Sequence, residues 1–384
     1  MNKNQTCDVA VIGAGVFGAW TAHQLQHAGA KVILVDAYGA GNSRASSGGE
    51  SRIMRMGYGP DELYTRSAQR SLGLWQDLFR RTGQSLFHRT GVLWLAREDD
   101  SYSISTLATL ERTGVVFEKL TRTELKLRYP QLGFGQVAWA IFEPQSGVLM
   151  ARQAVRVIVE EVRRNGITYL NDSVLPPKTD RKLESLITVG GNVIAADTFV
   201  FACGPWLPKL FPDLLADLIQ VTRQEVFFLG VPPGDDRYSS PRMSVWIDFN
   251  DLVYGIPDVE GRGFKIALDA HGPDFDPDTD DRLTTGNGLM VLRRYLATRI
   301  PALADAPVVE TRVCQYENTS NGDFLIDRHP ALENAWLVGG GSGHGFKHGP
   351  AVGEYAAASI SGKAKLEPRF GLAAKAKVQR RKVY

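Results

Sequence analysis

The first 36 residues show an order of apolar and polar positions that is typical of a strand, a helix and a second strand. Residues 8–12 form a β-branched run, residues 19–28 have the spacing of a helix, and residues 31–35 form a second apolar run. Gly29 stands directly after the helical stretch, where helices commonly end. The pattern predicts a βαβ unit of about 30 residues.

The loop between the first strand and the helix has glycine at positions 13, 15 and 18. Gly13 permits a tight turn, Gly15 lets a pyrophosphate approach the backbone, and Gly18 lets the helix pack closely on the strand. Asp36 stands 18 residues after Gly18, where a carboxylate accepts hydrogen bonds from the ribose hydroxyls of an adenosine. The unit therefore predicts dinucleotide binding rather than a chance glycine turn. Since an acid at position 36 disfavours a 2′-phosphate, the expected cofactor is FAD or NAD.

Later segments continue the succession of strands and helices. Period and length predict strands at residues 91–95, 198–202 and 336–339 and helices at residues 104–113, 151–165 and 351–361. Residues 220–268 are instead rich in strand patterns and are interrupted by Gly and Pro, as a separate antiparallel layer would be. A chain of 384 residues exceeds the usual ~100–200 residues of one domain, so we expect two domains.

Composition excludes several classes of protein. The 44 Lys and Arg residues nearly balance the 42 Asp and Glu residues, which leaves no surplus positive field for nucleic acid. Cys7, Cys203 and Cys314 show no CxxC spacing, so we expect neither a disulfide framework nor a metal site, and a cytoplasmic location fits best. The longest apolar run, residues 9–20, is shorter than the ~18 residues of a membrane span and is better explained by the glycine pattern.

Two local patterns resemble functional motifs but lack residues that each motif requires. Residues 274–280 begin like a calcium-binding loop, yet position six is Thr279 instead of Gly and position twelve is Thr285 instead of Glu. We expect a turn there that caps the following helix. Ser342 lies among glycines, but His344 occupies the last position of a GxSxG motif, so the chain is not expected to be a hydrolase.

Two stretches carry clustered basic residues. Arg52 and Arg55 are three positions apart, a spacing that places both on one face of a helix and lets both reach one site. A solvated basic face is the alternative interpretation. Residues 375–382 are also basic, and we expect a solvated terminus there rather than a contact with an acidic partner.

Ten stretches in the same order carry a family resemblance. They are residues 13–18 with Asp36, 51–55, 91–93, 142–149, 202–206, 254–255, 263–265, 313–316, 324–330 and 342–347. Over nearly its whole length the chain resembles monomeric sarcosine oxidase and its relatives among the FAD-dependent amine oxidases. These matches are specific to the family and far less specific to a substrate.

The resemblance implies an α/β and α+β architecture in two domains. A Rossmann-like FAD-binding domain would be discontinuous, formed by residues 1–86, 146–212 and 320–384. An inserted substrate domain with an antiparallel sheet would comprise residues 87–145 and 213–319. The relatives' organisation also leads us to expect a monomer.

The resemblance further implies a set of residues that bind FAD. These are Gly13, Gly15, Val16, Phe17, Gly18, Asp36, Ala37, Arg44, Ser46, Arg52, Val174, Gly204, Trp206, Cys314, Gly343, Gly345, Phe346 and Lys347. In the family, a cysteine at the position of Cys314 forms a thioether to the 8-methyl group of the flavin. The alternative is that Cys314 is a small buried apolar residue, as most free cysteines are.

Residues implied to act in catalysis or to line the substrate pocket are Arg52, Arg55, Tyr254, Lys265, Asp269, Tyr316 and Lys347. Lys265 matches a lysine beside the flavin that promotes the reaction with oxygen, because a fixed cation stabilises developing superoxide. Arg52 matches an arginine beside the flavin. Arg55 and Lys347 match the pair that holds the substrate carboxylate, one as a fork of donors and the other as a point charge.

Two positions depart from the family pattern. Asp269 stands where the family has an active-site histidine, and Gly48 stands where sarcosine oxidase has a histidine near the flavin. An ionised Asp269 only accepts hydrogen bonds, so we expect a substrate with an additional hydrogen-bond donor or positive group. The alternative is that Asp269 turns away from the flavin to pair with Arg262 or His271.

The family reaction moves a hydride from the carbon next to nitrogen to flavin N5. The imine then hydrolyses, and O₂ is reduced to hydrogen peroxide. A secondary amino acid is the leading substrate, and a fructosyl (Amadori) amino acid is the second. A flavin dehydrogenase with another electron acceptor and a non-catalytic flavoprotein subunit are alternatives, which Lys265 and the Arg55–Lys347 pair respectively oppose.

Overall fold

The computed structural model describes residues 4–179 and 181–377. The strands are β1 (Asn4–Ile12), β2 (Val32–Asp36), β3 (Ser51–Met54), β4 (Phe87–His88), β5 (Val92–Ala96), β6 (Glu118–Thr121), β7 (Trp139–Glu143), β8 (Gly147–Met150), β9 (Thr168–Asn171), β10 (Ser185–Ile187), β11 (Val193–Phe201), β12 (Ile219–Leu229), β13 (Val245–Asp248), β14 (Val253–Ile256), β15 (Phe264–Leu268), β16 (Val308–Thr319), β17 (Leu325–Arg328) and β18 (Ala335–Gly339). The helices are α1 (Val16–His27), α2 (Glu62–Thr82), α3 (Ser101–Thr113), α4 (Arg122–Arg128), α5 (Ala151–Arg164), α6 (Leu207–Leu210), α7 (Pro212–Leu215), α8 (Gly286–Arg299) and α9 (Gly349–Ile360).

A largely parallel sheet contains the predicted βαβ unit. Its order is β17-β18-β11-β1-β2-β9, with β10 paired to β11. Strand β1 pairs in parallel with both β2 and β11, and helix α1 connects β1 to β2. Such a connection places the helix on one face of the sheet, where the apolar side chains of both elements are buried together. The α/β prediction for this part of the chain is confirmed.

A second sheet is mainly antiparallel and is formed by segments between those of the first. Its order is β16-β12-β15-β14-β13-β5-β7-β6, and only β5 and β13 run parallel to each other. A small sheet of β3, β8 and β4 completes the described strands. The predicted antiparallel layer of residues 220–268 is therefore confirmed, whereas the exact domain boundaries stay a prediction. None of the described helices has the length and apolar character needed to cross a membrane.

The prediction of a helix around Arg52 and Arg55 is wrong. Residues Ser51–Met54 form strand β3, which pairs with β8 and is held by backbone hydrogen bonds across the small sheet. Positions three apart on an extended strand point to opposite faces. The two guanidinium groups nevertheless reach the same cavity, because the chain leaves the strand after Met54 and Arg55 belongs to the following loop.

Two further expectations need correction. The acidic turn at residues 274–280 does not cap the next helix, because α8 begins at Gly286 and the Thr285 side chain is its N-cap. The terminal stretch is not solvated from its beginning. Lys375 is only 9% exposed and donates hydrogen bonds to the carbonyl oxygens of Asp323 and Arg369. The rest of that stretch, from residue 378, lies outside the described residues.

Candidate active site

A groove with a volume of about 370 Å³ lies at the carboxyl ends of β1, β2, β11 and β18. Dinucleotides bind at this edge in open α/β sheets. Residues predicted from the sequence to bind FAD that line the groove are Gly13, Gly15, Val16, Phe17, Asp36, Ala37, Ser46, Arg52, Val174, Gly204, Trp206, Cys314, Gly343, Gly345 and Phe346. The tertiary structure therefore brings together residues from distant parts of the chain around one groove.

The turn after β1 leaves bare backbone at the groove. Gly13 has a φ of 102°, and a Cβ atom there would lie 2.3 Å from the carbonyl oxygen of Ala202. A side chain at this position would be strained and would collide with the neighbouring strand end. Helix α1 begins three residues later, and the Val16 amide at its N-terminus donates to Ser47 Oγ at 3.0 Å. This geometry fits the close approach of a phosphate group.

Backbone amides orient the Asp36 carboxylate. Its Oδ2 accepts a hydrogen bond from the Ala14 amide at 2.8 Å, and its Oδ1 accepts one from the Tyr38 amide at 2.9 Å. Each carboxylate oxygen retains a further lone pair for a ribose hydroxyl. Together with the bare turn at Gly13, this fixed acceptor fits the adenosine and phosphate part of FAD.

Three residues predicted to bind the cofactor do not line the groove itself. Gly18 packs in the interior against the Gly13 carbonyl, which is the close helix packing that its motif requires. Arg44 donates to the carbonyl oxygens of Pro277 and Asp278. Lys347 lines the adjoining cavity. Direct contact of these three residues with FAD stays a prediction.

Cys314 lies on β16 next to a cation. Its Sγ accepts a hydrogen bond from Arg52 Nη2 at 3.3 Å. Burial raises the pKa of this thiol, but Arg52, Arg312, a backbone hydrogen bond at Gln315 and Lys265 act in the opposite direction and leave the pKa below its ordinary value. A thiol with a lowered pKa is more readily present as the nucleophilic thiolate. Cys203 lines the same groove, and there burial raises the pKa.

A second, smaller cavity of about 80 Å³ adjoins the groove. Residues that line both spaces are Arg52, Cys314, Tyr316, Gly343 and Phe346. The smaller cavity is lined by every residue predicted to act in catalysis or substrate binding, namely Arg52, Arg55, Tyr254, Lys265, Asp269, Tyr316 and Lys347. The arrangement gives a large groove for a cofactor and a charged cavity at one end of it.

Arg55 and Lys347 supply two buried cations to the cavity, since they are only 7% and 5% exposed. The Arg55 guanidinium lies over the ring of Tyr58 at 4.2 Å and over that of Trp94 at 4.8 Å. Lys347 Nζ donates to the Tyr58 hydroxyl at 2.8 Å and to the His344 carbonyl at 2.9 Å. Burial and the neighbouring Arg55 lower the pKa of Lys347 well below its ordinary value. An anion in the cavity would stabilise its charged form.

Asp269 faces these cations. The Tyr316 hydroxyl donates to Asp269 Oδ1 at 3.0 Å. Burial raises the pKa of Asp269 to about 6, although Arg55, the Tyr316 hydrogen bond and Lys347 act in the opposite direction. The alternative of a pair with Arg262 is wrong, because Arg262 donates to Glu310 at 2.6 Å while Asp269 lines the cavity.

Gly48, the other departure from the family pattern, has no space for a side chain. A Cβ atom there would lie 1.8 Å from the Asn42 carbonyl oxygen. A side chain at this position would therefore collide with the loop from residue 42 to residue 48.

Lys265 lies on β15 with its side chain directed toward β3. Its Nζ donates to the Ser51 carbonyl oxygen at 2.9 Å and lies 5.8 Å from the Tyr254 ring centroid. Burial, followed by the nearby Arg52, lowers the pKa of Lys265 well below its ordinary value. The lysine is thus a buried amine at the border between groove and cavity.

Several residues of the site were not predicted from the sequence. Glu143 accepts hydrogen bonds from the amides of Met56 and Gly57 and from Trp94 Nε1, so it supports the loop that carries Arg55. Glu317 lines the groove, and its Oε2 has no hydrogen-bond partner among the described residues. Glu143 lies within the matching stretch 142–149 and Glu317 directly follows the stretch 313–316, but neither was assigned a role. The role of Glu143 depends on partners from other segments of the chain.

Comparison with known proteins agrees with this geometry. A family model described as FAD dependent oxidoreductase matches residues 8–359. The chain belongs to the FAD-dependent oxidoreductase family. Within this family it is 31% identical to a monomeric sarcosine oxidase of Bacillus sp. (strain B-0618) over 90% of each chain. It is 29% identical to an N-methyl-L-tryptophan oxidase of Yersinia pestis (strain Pestoides F), over 91% of this chain and 94% of the relative.

A solved structure shows the same fold. The L-proline dehydrogenase from P. horikoshii superposes with a TM-score of 0.83 at 23% identity, covering 96% of this chain and 98% of that one. The match covers 96% of this chain, so both sheets belong to the shared fold. As a member of this family, the protein is an FAD-dependent oxidoreductase. That the residues of the large groove bind the FAD stays a prediction.

Proposed function

We propose that this FAD-dependent oxidoreductase oxidises a secondary amino acid, taking a hydride from the carbon next to nitrogen. The observation that carries the proposal is the pair of buried cations, Arg55 and Lys347, at the end of the FAD groove. A buried guanidinium and a buried amine that line one cavity can hold a carboxylate through charge-assisted hydrogen bonds, so the cavity is suited to a ligand that carries one. The named activities of the sarcosine and N-methyltryptophan oxidases agree with such a ligand.

Bound FAD would accept the hydride and pass the electrons to O₂, giving hydrogen peroxide. Arg55 and Lys347 bind the carboxylate and thereby orient the adjacent carbon. Tyr254 and Phe249 line the cavity and exclude water from it. The imine product hydrolyses in water after it leaves these residues.

Cys314 and Lys265 have separate roles in this proposal. The lowered pKa of the Cys314 thiol and its contact with Arg52 support a covalent thioether to the flavin. Lys265 supports the reaction with oxygen, because a cation there stabilises negative charge that develops on O₂. O₂ is therefore proposed as the electron acceptor.

Asp269 makes the proposed substrate class narrower. Its carboxylate lies in the cavity and is in contact with Tyr316, so a second acceptor position remains for a donor group of the substrate. We expect an amino acid with a hydroxyl, amine or imidazole-like donor beyond the secondary nitrogen, and poor turnover of plain sarcosine. The enzyme is further proposed to work as a monomer in the cytoplasm, where its three unpaired cysteines would remain reduced.

A substrate panel tests the proposal. Sarcosine, N-methyl derivatives of basic and hydroxylated amino acids, and fructosyl-glycine are compared by kcat/KM with peroxide as the product measured. The matching methyl esters serve as controls, since they lack the carboxylate for Arg55 and Lys347. Peroxide from a free acid but not from its ester supports the proposal. Anaerobic flavin reduction without peroxide formation in air would instead show a dehydrogenase, and equal turnover of acid and ester would refute carboxylate recognition.

A further inference from the structure

Lys347 is the first group of a continuous hydrogen-bonded chain that leaves the substrate cavity. Its Nζ lies 2.8 Å from the Tyr58 hydroxyl. That hydroxyl lies 2.7 Å from His348 Nε2, and His348 Nδ1 lies 2.9 Å from Ser67 Oγ. Tyr58 and His348 are 1% and 0% exposed, whereas Ser67 on α2 is only partly buried. This series of hydrogen bonds thus connects a buried amine with the surface of the molecule.

These hydrogen bonds can all run in one direction when His348 carries its proton on Nδ1. Lys347 then donates to the Tyr58 oxygen, the Tyr58 hydroxyl donates to His348 Nε2, and His348 Nδ1–H donates to Ser67 Oγ. This order requires a neutral His348. Burial and the adjacent Lys347 lower the pKa of His348 well below its ordinary value, which agrees with the neutral form.

A side branch of this hydrogen-bond series, through His344, cannot carry a proton onward. The Tyr58 hydroxyl also lies 3.3 Å from His344 Nδ1, but His344 Nε2 faces the Gly322 carbonyl at 3.0 Å. A carbonyl oxygen accepts a hydrogen bond and has no proton to pass on. Among the described contacts of Tyr58, the branch through His348 continues through groups that both accept and donate.

We infer that Lys347, Tyr58, His348 and Ser67 form a relay that moves protons between the occupied substrate cavity and solvent. In one outward passage Lys347 gives a proton to the Tyr58 oxygen, while the Tyr58 hydroxyl proton moves to His348 Nε2. The Nδ1 proton of His348 moves to Ser67, and the Ser67 hydroxyl proton passes to water. Lys347 becomes a neutral amine, and the other three groups keep their charge. The inward passage restores the original direction of the hydrogen bonds.

The relay rests on the proposed function, which requires a proton to leave the cavity. An amino acid in solution carries an ammonium group, and hydride leaves only from the neutral amine. Once Lys347 has passed its proton outward, it takes the proton that the substrate ammonium releases and remains charged opposite the carboxylate. The reaction with O₂ consumes one proton, which the inward passage supplies. Each turnover is therefore balanced.

Tyr58→Phe tests the relay with minimal change to the packing. Phenylalanine keeps the ring beneath Arg55 and removes only the hydroxyl that joins Lys347 to His348. Tyr64→Phe is the matched control, because the Tyr64 ring stacks on Tyr58 at 5.3 Å while its hydroxyl donates to Asp323 instead. Anaerobic flavin reduction by the best amine of the panel and proton release to an indicator dye are recorded together by stopped flow.

At pH 7 we expect Tyr58→Phe to slow both signals at least tenfold, with the control near wild type. The deficit should disappear near pH 10, about where amines lose their proton in solution, because the substrate then enters neutral. Groups that face Lys347 or His348 and are common to both variants are Arg52, Arg55, Glu143, Asp269 and His344. A deficit that stays the same at all pH values, or equal rates in both variants, would overturn the relay.

A second pair of variants and a spectrum make the test independent of Tyr58→Phe. Ser67→Ala removes the last hydroxyl, and Ser71→Ala one turn further on α2 is its control, since Ser71 accepts from the Ala351 amide. Only Ser67→Ala should slow proton release, by several fold. In ¹⁵N spectra of the holoenzyme, His348 should be neutral with its proton on Nδ1. A charged His348, or a His348 with its proton on Nε2, would contradict the relay whether or not an amine reduces the flavin. If no amine reduces the flavin, that result alone would reject the proposed function but not the relay.

Discussion

The Tyr316 hydroxyl donates a hydrogen bond to Asp269 Oδ1 at 3.0 Å, and this bond holds the carboxylate in the cavity that Arg55 and Lys347 also line. Tyr316 lies on β16 and Asp269 directly follows β15, and the two residues are 47 positions apart in the sequence. Because one oxygen is committed to Tyr316, the other is available to a ligand. Asp269 is therefore in a position to select among amines.

Substitution of Asp269 should change the preference among substrates more than the enzyme's general ability to oxidise amines. With Asp269→Asn we expect kcat/KM for amino acids with an extra donor to fall by about 10- to 100-fold, the range lost when a charged hydrogen bond is removed. The value for sarcosine should change much less. The measurement is the same substrate panel with wild type, and Tyr316→Phe serves as a companion that keeps the carboxylate but loses its orientation. A parallel loss for all substrates would contradict a role in selection.

The pH dependence of selection should follow the pKa of Asp269, which lies at about 6. Above this value the carboxylate is ionised and accepts hydrogen bonds. As the pH falls through about 6 it becomes protonated and its attraction for a positive donor is lost. We expect the ratio of kcat/KM for a basic N-methyl amino acid to that for sarcosine to fall between pH 7 and pH 5, roughly one unit to either side of that pKa. Asp269→Asn should show a flat ratio.

Cys314→Ala should release the flavin on denaturation. The wild-type protein is expected to stay yellow after acid precipitation, because a thioether survives unfolding and bound but unlinked FAD does not. Cys203→Ala is the matched control, since this thiol lines the same groove but burial raises its pKa and its Sγ donates to the Ile12 carbonyl. Loss of colour from the wild type would refute the covalent bond, as would retention of colour in Cys314→Ala.

Lys265→Met should separate the two halves of the reaction. The loss of a cation near developing negative charge is expected to slow reoxidation by O₂ by about 10²- to 10³-fold, the usual effect of removing one electrostatic stabiliser. Anaerobic reduction by the substrate should change far less, because Arg55 and Lys347 still hold the carboxylate. Stopped-flow traces of each half give both rates in one preparation. Similar slowing of the two halves would assign Lys265 a structural role through its bond to Ser51.

Loss of a carboxylate partner should appear mainly in KM. Arg55→Met removes a desolvated charged contact, and we expect KM to rise by about 10- to 150-fold, equivalent to ~1.5–3 kcal/mol. Arg262→Met is a suitable control, because Arg262 is paired with Glu310 and does not line the cavity. If both variants have the same KM, Arg55 does not bind the substrate carboxylate.

The βαβ unit, with its three glycines and the terminal Asp36, could be predicted from the amino-acid sequence alone. These features depend on neighbours close in the chain, since backbone hydrogen bonds within a helix and the side-chain period of a strand are local. Helix α1 was predicted from residue 19 and begins at Val16, which is a difference at its end rather than in its type. The residue types of the cavity were also identified, although only through resemblance to a family whose spatial arrangement is known.

Which of these residues meet, and what each of them contacts, depends on how distant segments pack together. Arg52 and Cys314 are 262 positions apart, and Tyr58 and His348 are 290 positions apart. Their contacts depend on strand order and register, which no local period records. For the same reason, the three-residue spacing of Arg52 and Arg55 was mistaken for a helix, since pairing with β8 makes this segment a strand. Burial by distant segments, rather than the residue types themselves, also sets the shifted pKa values of Lys347 and Asp269.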